Sequence, residues 1–424
     1  MVSRTYAWIA TSGGAWSLAS NWNDLTDGID PSLTVPGLQD SVVIAGPTGS
    51  TVQTLTGQGG VASASFAGNA MLAGSFSVGS VSMGAAGAGG LLDVGAAATL
   101  DVGTLTVGSG SLISSGTGSD LVAVRAVLGA GQSGGGAAAC NLDATNGGCV
   151  QIASLTMNAG SAALYVDTNS SIEIGTLGGA ALGALTVDAG STLSGQGDAD
   201  GYANVVNNGT IAAAGGTLLV GALSGQGHLS IGSGAVLMLN GTTGAGQTVA
   251  FAGEAATLAL ATEFDEPQGT ITGFAPGDGI DLLGSPISAA TYAATGANLG
   301  VLTLFYGSQV ADRLTLAGNY ANDVFLTAGD GAGGTLITVA PNASGGGGPA
   351  PAPARRTFIN GPRPAAAPGT APRTGPTSPP VHSRPRSPPV PRMLSPSMHR
   401  KPAVSRLSRG RPTSRRSSPP ATWH

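Results

Sequence analysis

The residues whose type and spacing suggest chemistry in this chain of 424 residues are, first, its two cysteines. Cys140 and Cys149 enclose an octapeptide rich in Asn, Asp and Gly, which is typical of a turn. Two thiols alone do not hold a structural zinc ion, whereas a loop disulfide is common in glycine-rich extracellular chains. The sequence therefore predicts a disulfide between Cys140 and Cys149, worth about 2–3 kcal/mol in the chain-entropy model.

Asp278 and Asp281 are weak candidates for calcium ligands. They lie in the segment 277–282 (GDGIDL), which resembles the calcium-proximal segments of secreted repeat proteins. The favoured alternative is that one aspartate closes a turn and the other begins a strand. A second fragment of a calcium loop, 198–201 (DADG), lacks the distal Glu of such loops, so a turn is again preferred. No metal and no cofactor are predicted.

Residues for catalysis are sparse. His228 is the one histidine before residue 345, and no nucleophile elbow accompanies it. The segment 129–134 (GAGQSG) satisfies G-x-G-x-x-G, but two more glycines follow it where a helix should begin, so no pyrophosphate site is expected. An enzyme acting on polysaccharides would need clustered carboxylates on one face, and the acids are expected to be scattered singly. The sequence therefore predicts no catalytic residue.

The composition excludes several classes of protein. The chain holds 71 Gly and 26 Pro, only 9% charged and 4% aromatic residues, but 42% hydrophobic residues. No apolar run approaches the ~18 residues of a membrane-spanning helix, so no transmembrane helix is expected. Strict Gly-X-Y triplets and charged heptads are also missing, which excludes collagen and coiled coils. A glycine-rich, β-rich repeat protein remains.

The charge divides the chain at about residue 345. Residues 1–344 carry three basic residues, Arg4, Arg125 and Arg313, and all 22 acids, a net charge of −19. Residues 345–424 carry 14 basic residues, no acid and 19 of the prolines, and are predicted to be a disordered tail. The tail is interpreted as an inert segment, as an arm that binds anionic polymers non-specifically, or as the product of a shifted reading frame.

Short alternating segments dominate the region from residue 50 to 262. One pattern, apolar–polar–apolar followed by a small-residue turn, begins at Leu105, Leu155, Leu185 and Leu229. Its period is two, and strands this short bury a face only when they stack as rungs. The leading prediction is an all-β fold, a right-handed parallel β-helix (solenoid). Separate β-sandwiches are the alternative, disfavoured because few large residues are available to fill a two-sheet core.

The first 49 residues are predicted to cap this solenoid. They contain three of the four tryptophans, Trp8, Trp16 and Trp22, and the segment 16–23 (WSLASNWN). This segment, with the strand at 42–44, resembles the opening of bacterial surface proteins of the autotransporter-adhesin type. Bulky rings cover the open core of a first rung; the alternative is that exposed rings bind sugar. The N-terminus has no classical secretory signal, so the secretion route stays open.

Residues 263–344 are predicted to be an end module. The ordered series from 207–211 (NNGTI) to 330–338 (DGAGGTLIT) resembles the end module of large β-helical surface proteins of alphaproteobacteria. In some relatives a Hint (hedgehog/intein-like) autoprocessing domain follows; that domain begins at a nucleophilic Cys, which the tail lacks, so autoprocessing is not expected here. Large rings predicted to close the core concentrate in the module: Phe264, Phe274, Tyr292, Phe305, Tyr306, Tyr320 and Phe325.

These observations predict a secreted or cell-surface protein that is structural or adhesive and has no catalytic activity. Host surfaces, abiotic surfaces or polysaccharides are the expected partners, and no specific nucleic acid is expected. One alternative is a β-helix enzyme acting on polysaccharides, and another is the remnant of a Hint-containing surface protein. A calcium-dependent type I secreted protein would need tandem G-G-x-G-x-D repeats, which do not occur.

Overall fold

The computed structural model describes residues 2–46, 52–84, 90–108, 112–129, 140–158, 162–167, 169–177, 180–181, 183–199, 205–261 and 269–342. All of them belong to one structural unit, Met1–Pro349. The predicted disordered tail, residues 345–424, and Phe264 lie outside these ranges. Strands dominate the described part, and its one helical segment is a 3-10 turn, Ala19–Asn21. No helix in these ranges is long and apolar enough to cross a bilayer.

Thirty-two strands follow one another in the part of the chain that the structure describes. The first half comprises β1 (Thr5–Trp8), β2 (Gly14–Ala15), β3 (Trp22–Asp24), β4 (Ser41–Ile44), β5 (Gln53–Phe66), β6 (Ala70–Met83), β7 (Leu91–Val94), β8 (Thr99–Val107), β9 (Leu112–Ser115), β10 (Asp120–Leu128), β11 (Cys140–Ala144), β12 (Cys149–Met157), β13 (Ala162–Val166), β14 (Ser171–Ile174), β15 (Thr176–Leu177) and β16 (Ala180–Ala181).

The second half comprises β17 (Leu185–Val187), β18 (Thr192–Ala199), β19 (Val205–Asn207), β20 (Thr210–Val220), β21 (Leu223–Ser224), β22 (His228–Ile231), β23 (Val236–Leu239), β24 (Thr248–Phe251), β25 (Thr257–Leu260), β26 (Thr270–Thr272), β27 (Gly279–Leu282), β28 (Ala289–Gly296), β29 (Leu299–Tyr306), β30 (Gln309–Ala317), β31 (Asp323–Gly329) and β32 (Thr335–Pro341). Thirty of these strands form one hydrogen-bonded sheet, and β15 pairs with β16 alone.

The large sheet consists of three columns of stacked, parallel strand segments. The first column runs through the starts of β5 and β6 and through β7, β9, β11 and β13 to the starts of β18 and β20, then β22, β24 and β26. The second runs through the middle of β5 and β6 and through β8, β10, β12, β14, β18, β20, β23, β25 and β27. The third runs from β1 and β4 through the ends of β5, β6, β8, β10 and β12 to β17, β19 and β21. The predicted all-β parallel solenoid is therefore confirmed.

Alternation of side chains along each strand builds the core. In β4, for example, Val42 and Ile44 are buried and their neighbours are half-buried, the pattern of a strand with one inward face. Leu105, Leu155 and Leu185, which begin three copies of the repeated pattern, all stack in the third column, with Ala126 between the first two. Leu229 lies in the first column. The repeats thus mark inward positions, but their spacing reflects rungs of unequal length.

Glycine allows the chain to turn between columns. Gly57 and Gly74 are register partners at the corner between the first and second columns, with φ of +99° and +152°. A Cβ on Gly74 would overlap the carbonyl oxygen of Gly57. Only glycine adopts such φ angles without strain. Because glycine also lacks a Cβ, the two rungs can approach each other closely at this corner.

Antiparallel strands close both ends of the solenoid. At the N-terminal end, β1 pairs in parallel with β4 and presents its other edge to β3, which runs antiparallel. At the C-terminal end, β27 pairs antiparallel with β32, which continues into the β31–β32 hairpin. β30 stacks on β26 in parallel and carries β29 and β28 as antiparallel neighbours. At both ends of the solenoid, antiparallel pairing therefore replaces the parallel pairing of the rest of the sheet.

Candidate functional site

The two cysteines are free thiols in the structure, so the predicted disulfide is not formed. Cys140 begins β11 in the first column, and Cys149 begins β12 in the second. The four steps of extended strand from Cys140 to Ala144 alone span about 13 Å, beyond the roughly 7 Å at which Cα atoms permit a disulfide. The turn-rich segment is in fact a strand followed by a short corner, which carries the two thiols apart.

The surroundings of the two thiols also differ. Cys140 points into the core, where its Sγ accepts a hydrogen bond from the N–H of Gly129, and burial raises the pKa of its thiol. Cys149 is half-buried and hydrogen-bonds to Asp120 on the neighbouring strand. Cys149 thus belongs to the outer surface of the second column.

Asp278 is a turn residue, as the favoured interpretation predicts. It is buried, and its two carboxylate oxygens accept hydrogen bonds from the N–H groups of Ala256 (3.1 Å) and Ala275 (3.0 Å). Asp281 lies on β27 and faces outward, with one carboxylate oxygen buried and without a partner. Burial and the nearby Asp330 raise the pKa of Asp281. The two candidate calcium ligands therefore do not face a common centre.

The three tryptophans are buried at the N-terminal end of the core, which excludes the alternative that exposed rings bind sugar. Trp22 is 0% exposed and meets Trp8 and Trp16 edge-on, at ring separations of 4.9 and 4.7 Å. Its indole N–H donates to the carbonyl of Trp16 at 2.9 Å. The rings thus lie where a cap of the first rung is expected.

His228 lies on the outward face of the first column. Its Nδ1 is 2.6 Å from the hydroxyl of Thr248, its register partner on β24. Of the G-x-G-x-x-G segment, only Gly129 falls within the described residues, and Asp200 of the other calcium-loop fragment lies outside them. In the described ranges, no three His, Cys, Asp or Glu side chains are grouped to hold a metal ion.

The acids are not scattered singly, contrary to the prediction. One line of outward-facing positions runs along the second column, and we call it the outer row; it comprises Gly60, Ser77, Asp101, Val122, Gln151, Glu173, Asp198, Leu219, Met238, Ala259 and Asp281. Glu173 and Asp198 are direct register partners in it. Asp120 faces the same side, one strand over from Asp101. The outer row from Ser77 to Asp198 therefore holds three acids and only one apolar residue, Val122. Leu219, Met238 and the buried Ala259 make the next part apolar.

Asp101 and Asp120 influence each other. Burial, and then the charge of Asp101, raise the pKa of Asp120, against a lowering by the bond from Cys149. One oxygen of Asp120 is buried without a hydrogen-bond partner, whereas Asp101 is exposed. The only ion pairs within the described ranges join Arg4 to Asp24 and Asp27 at the N-terminal end. The charges of Asp101 and Asp120 are therefore not compensated by a nearby cation of the described chain.

A groove lies beside this acidic part of the outer row. It consists of two shallow, open depressions of about 480 and 370 Å³, and Ser77 and Asp101 line both of them. Leu38 lies at one end of the groove and Val122 and Val124 at the other. We call these two depressions together the corner groove, because the second of them reaches the bend from the second to the third column at Gly79 and Gly103.

Sequence reasoning missed the corner groove and the outer row. Both depend on which residues of successive rungs are register partners, and along the outer row partners lie between 17 residues apart, as Gly60 and Ser77 do, and 29 apart, as Val122 and Gln151 do. The one available signal was the outward position of each acid in its own alternating strand. Comparison of the chain with protein-family models and with curated proteins gives no match.

Proposed function

We propose that this protein is a secreted or cell-surface β-solenoid with a structural or adhesive role and no catalytic activity. The observation that carries the proposal is a parallel solenoid with antiparallel strands at both ends, which presents outward rows of side chains on a rigid backbone. In such a solenoid, outward side chains recur at the spacing of the strands, about 4.7–4.9 Å. This regular surface suits contact with extended or repetitive partners. The resemblance of the Trp-rich opening to autotransporter-type adhesins supports the same role.

The test is an adhesion assay with the full-length protein on beads. Surfaces coated with polysaccharide, surfaces coated with host matrix protein and bare polymer are compared in 1 M salt, which screens the basic tail. We expect retention on at least one surface and the same retention for a variant lacking residues 345–424. Retention on none of the surfaces, or retention that disappears with the tail, would contradict the proposal.

A second candidate function is hydrolysis of a polysaccharide, favoured by the pair Glu173 and Asp198. They are direct partners on adjacent parallel strands, which lie about 4.7–4.9 Å apart. Retaining glycosidases place their two carboxyl groups about 5–5.5 Å apart, one as acid and base and one as nucleophile. The register therefore places two carboxylate side chains on neighbouring strands, side by side, which is the first requirement of this chemistry.

Release of reducing ends from the same polysaccharides separates the two candidates. The structural or adhesive role predicts none. If hydrolysis is found, Glu173→Gln and Asp198→Asn should each reduce it at least a hundredfold, while Glu254→Gln, at an exposed position outside the outer row, should not change it. Hydrolysis that survives both substitutions would exclude the pair as its source.

A further inference from the structure

We propose that Asp281 and Asp330 form a carboxyl latch, in which one proton shared between the two side chains holds the β31–β32 hairpin against β27. Three observations lead to this proposal: the short attachment of the hairpin, two buried carboxylate oxygens without partners, and the lack of an ion pair beside them in the described ranges. The carboxyl latch concerns how the C-terminal end is closed, and it does not depend on the role proposed above.

The hairpin is attached to the second column by a short ladder. β27 and β32 are register partners at three positions, which are Ile280 with Ile337, Asp281 with Leu336, and Leu282 with Thr335. From residue 338 onward, β32 pairs with β31 among the described strands. The hydroxyl of Thr335 adds one bond to the carbonyl of Ser285, at 2.9 Å. A change in the contacts at this ladder therefore bears directly on how firmly the hairpin is docked.

Asp330 lies in the turn of this hairpin, with one carboxylate oxygen in use and one without a partner. Its Oδ1 accepts hydrogen bonds from the N–H groups of Ala332 (2.6 Å) and Gly334 (2.8 Å). Its Oδ2 is buried and has no hydrogen-bond partner. A Cβ on Gly334 would overlap both this Oδ2 and the carbonyl oxygen of Leu282. The unpartnered oxygen of Asp330 is therefore placed beside the end of β27.

Asp281 contributes the second unpartnered oxygen at the same junction. It precedes Leu282 on β27, and its Oδ1 is buried without a hydrogen-bond partner. Its register partners are Ala259 on β25 and Leu336 on β32, and neither side chain can donate a hydrogen bond. Burial, and then the charge of Asp330, raise the pKa of Asp281. The two carboxyl groups are thus close enough to influence each other.

One proton provides a partner for both oxygens. An ionised carboxylate only accepts hydrogen bonds, so two of them side by side repel each other and leave both buried oxygens unpaired. A protonated carboxyl group carries one O–H donor. Donation from Asp281 to the carboxylate of Asp330 forms a charge-assisted bond, which is shorter and stronger than a neutral one. Protonation of Asp281 therefore replaces repulsion across the junction with a bond.

The other charged groups near the junction do not take the place of this proton. Asp278 already uses both carboxylate oxygens on backbone N–H groups, and Glu254, in the turn before β25, is exposed. β25 and β32 contain no titratable side chain, and Asp323 of β31 lies at the far end of the hairpin, opposite Pro341. Within the described ranges the only ion pairs are those of Arg4 at the N-terminal end.

The carboxyl latch holds in acid and weakens toward neutral pH. Because the pKa of Asp281 is raised in the folded protein, its protonated form favours the docked hairpin, and this contribution is lost as the pH rises through the folded value. A loosened hairpin uncovers the edge of β27, the last parallel strand of the second column. The C-terminal end is therefore held more firmly in acid than at higher pH.

Hydrogen exchange of the full-length protein tests the carboxyl latch. Protection of the amides of β31 and β32 is measured at pH 3.5 and at pH 7. The amides of β20 and β24, which contain no titratable side chain, serve as the internal reference. We expect the protection of the hairpin, relative to this reference, to fall at least threefold between pH 3.5 and pH 7. Equal relative protection at the two pH values would overturn the proposal.

Amide substitutions identify the two partners. Because Asn keeps the shape of Asp and carries N–H donors at every pH, Asp281→Asn and Asp330→Asn should each keep the hairpin protected at pH 7 and remove the pH dependence. Asp143→Asn is a matched change on the outward face of the first column, at an aspartate whose pKa is raised by burial alone. This variant should retain the pH dependence of the parent.

Two further results would contradict the shared proton. The first is a pH dependence of hairpin protection that survives in both Asp281→Asn and Asp330→Asn. The second is full protection of the parent at pH 7 on addition of calcium, which would mean that a cation, rather than a proton, joins the two carboxylates.

Discussion

Antiparallel strands close both ends of the solenoid, but indole rings pack at the N-terminal end and a looser group of phenyl and phenol rings packs at the C-terminal end. Trp8, Trp16 and Trp22 are all buried, and the indole N–H groups of Trp8 and Trp22 donate to backbone carbonyls. At the other end Phe274 and Tyr320 are buried, with the Tyr320 hydroxyl donating to the carbonyl of Phe274. The aromatic rings of the N-terminal end are thus more fully buried, and more of their polar atoms form hydrogen bonds, than those of the C-terminal end.

The remaining aromatic residues of the C-terminal end are less enclosed. Tyr292 and Phe325 pack against Tyr320 but are only partly buried, and Tyr306 is 62% exposed. Asp281 and Asp330 each keep a buried oxygen without a partner there. Each end of the solenoid has a last rung whose core must be covered. Fully buried rings cover it at the N-terminal end, and partly exposed rings and hairpins cover it at the C-terminal end. The comparison teaches that the number of aromatic rings at an end does not measure how well its core is covered; the buried fraction of those rings does.

Deleting residues 263–340 should produce the largest effect. The deletion exposes the unpaired edges of β24 and β25 and the open core, which form a template for further strands. We expect end-to-end association, measured as a rise in molecular mass by light scattering. Deleting residues 345–424 should leave the mass per particle that of a monomer. A cap-deleted protein that stays monomeric and melts unchanged would show the module to be an independent domain.

Trp22→Ala should be the most damaging single substitution at either end. Removal of a large, fully buried ring costs about 3–5 kcal/mol of unfolding free energy. Phe325→Ala, at a partly buried ring of the C-terminal end, should cost about 1–2 kcal/mol, because folding buries less apolar area of this ring than of Trp22. Urea denaturation measures both. Equal costs for the two substitutions would remove the contrast between the ends.

The two ends should respond to pH in opposite directions. Burial alone raises the pKa of Asp24, but hydrogen bonds from the N–H of Asp27, from Arg4 and from the N–H of Thr26 outweigh it and leave the pKa lowered. Stability from Asp24 is therefore present above its unfolded pKa and is lost as the pH falls through the lower folded value. The pKa of Asp281 is raised, so its protonated form favours folding, and that stability is lost as the pH rises through the folded value.

Melting of two variants between pH 3 and pH 7 checks these signs. Asp281→Asn should raise stability near pH 7 relative to the parent and change it little near pH 3. Asp24→Asn should lower stability near pH 7 and converge on the parent in acid. A loss of stability at neutral pH in Asp281→Asn would mean that its carboxylate has a favourable partner in solution.

Calcium should have the smallest effect, because Asp278 already uses both carboxylate oxygens on backbone N–H groups. Titration of calcium into the full-length protein is expected to give no heat and no shift in melting temperature. A shift that disappears in Asp281→Asn, but persists in the matched Asp143→Asn, would instead place an ion at the C-terminal end.

Local pattern predicted the strands of this protein but not their alignment. The inward leucines, the glycine-rich corners and the buried tryptophans follow from period two and from the shortage of large residues. The positions of Asp101 and Glu173 in one row do not, because Val122 and Gln151 stand between them in the register and rung length varies with the corners. At Cys140 the turn propensity of Asn and Asp misled, since pairing of β11 with β9 and β13 overrides it.

The rung-upon-rung pairing has a mechanical consequence. Each strand of a column bonds only to the strand before it and the strand after it, and the axis of the stack joins β1 at one end to β27 and β32 at the other. A pull applied between the two ends would load the hydrogen bonds one rung at a time rather than shear many together. Strand separation would then begin at the C-terminal end, whose rings are less buried. The strands packed on Trp22 would separate last.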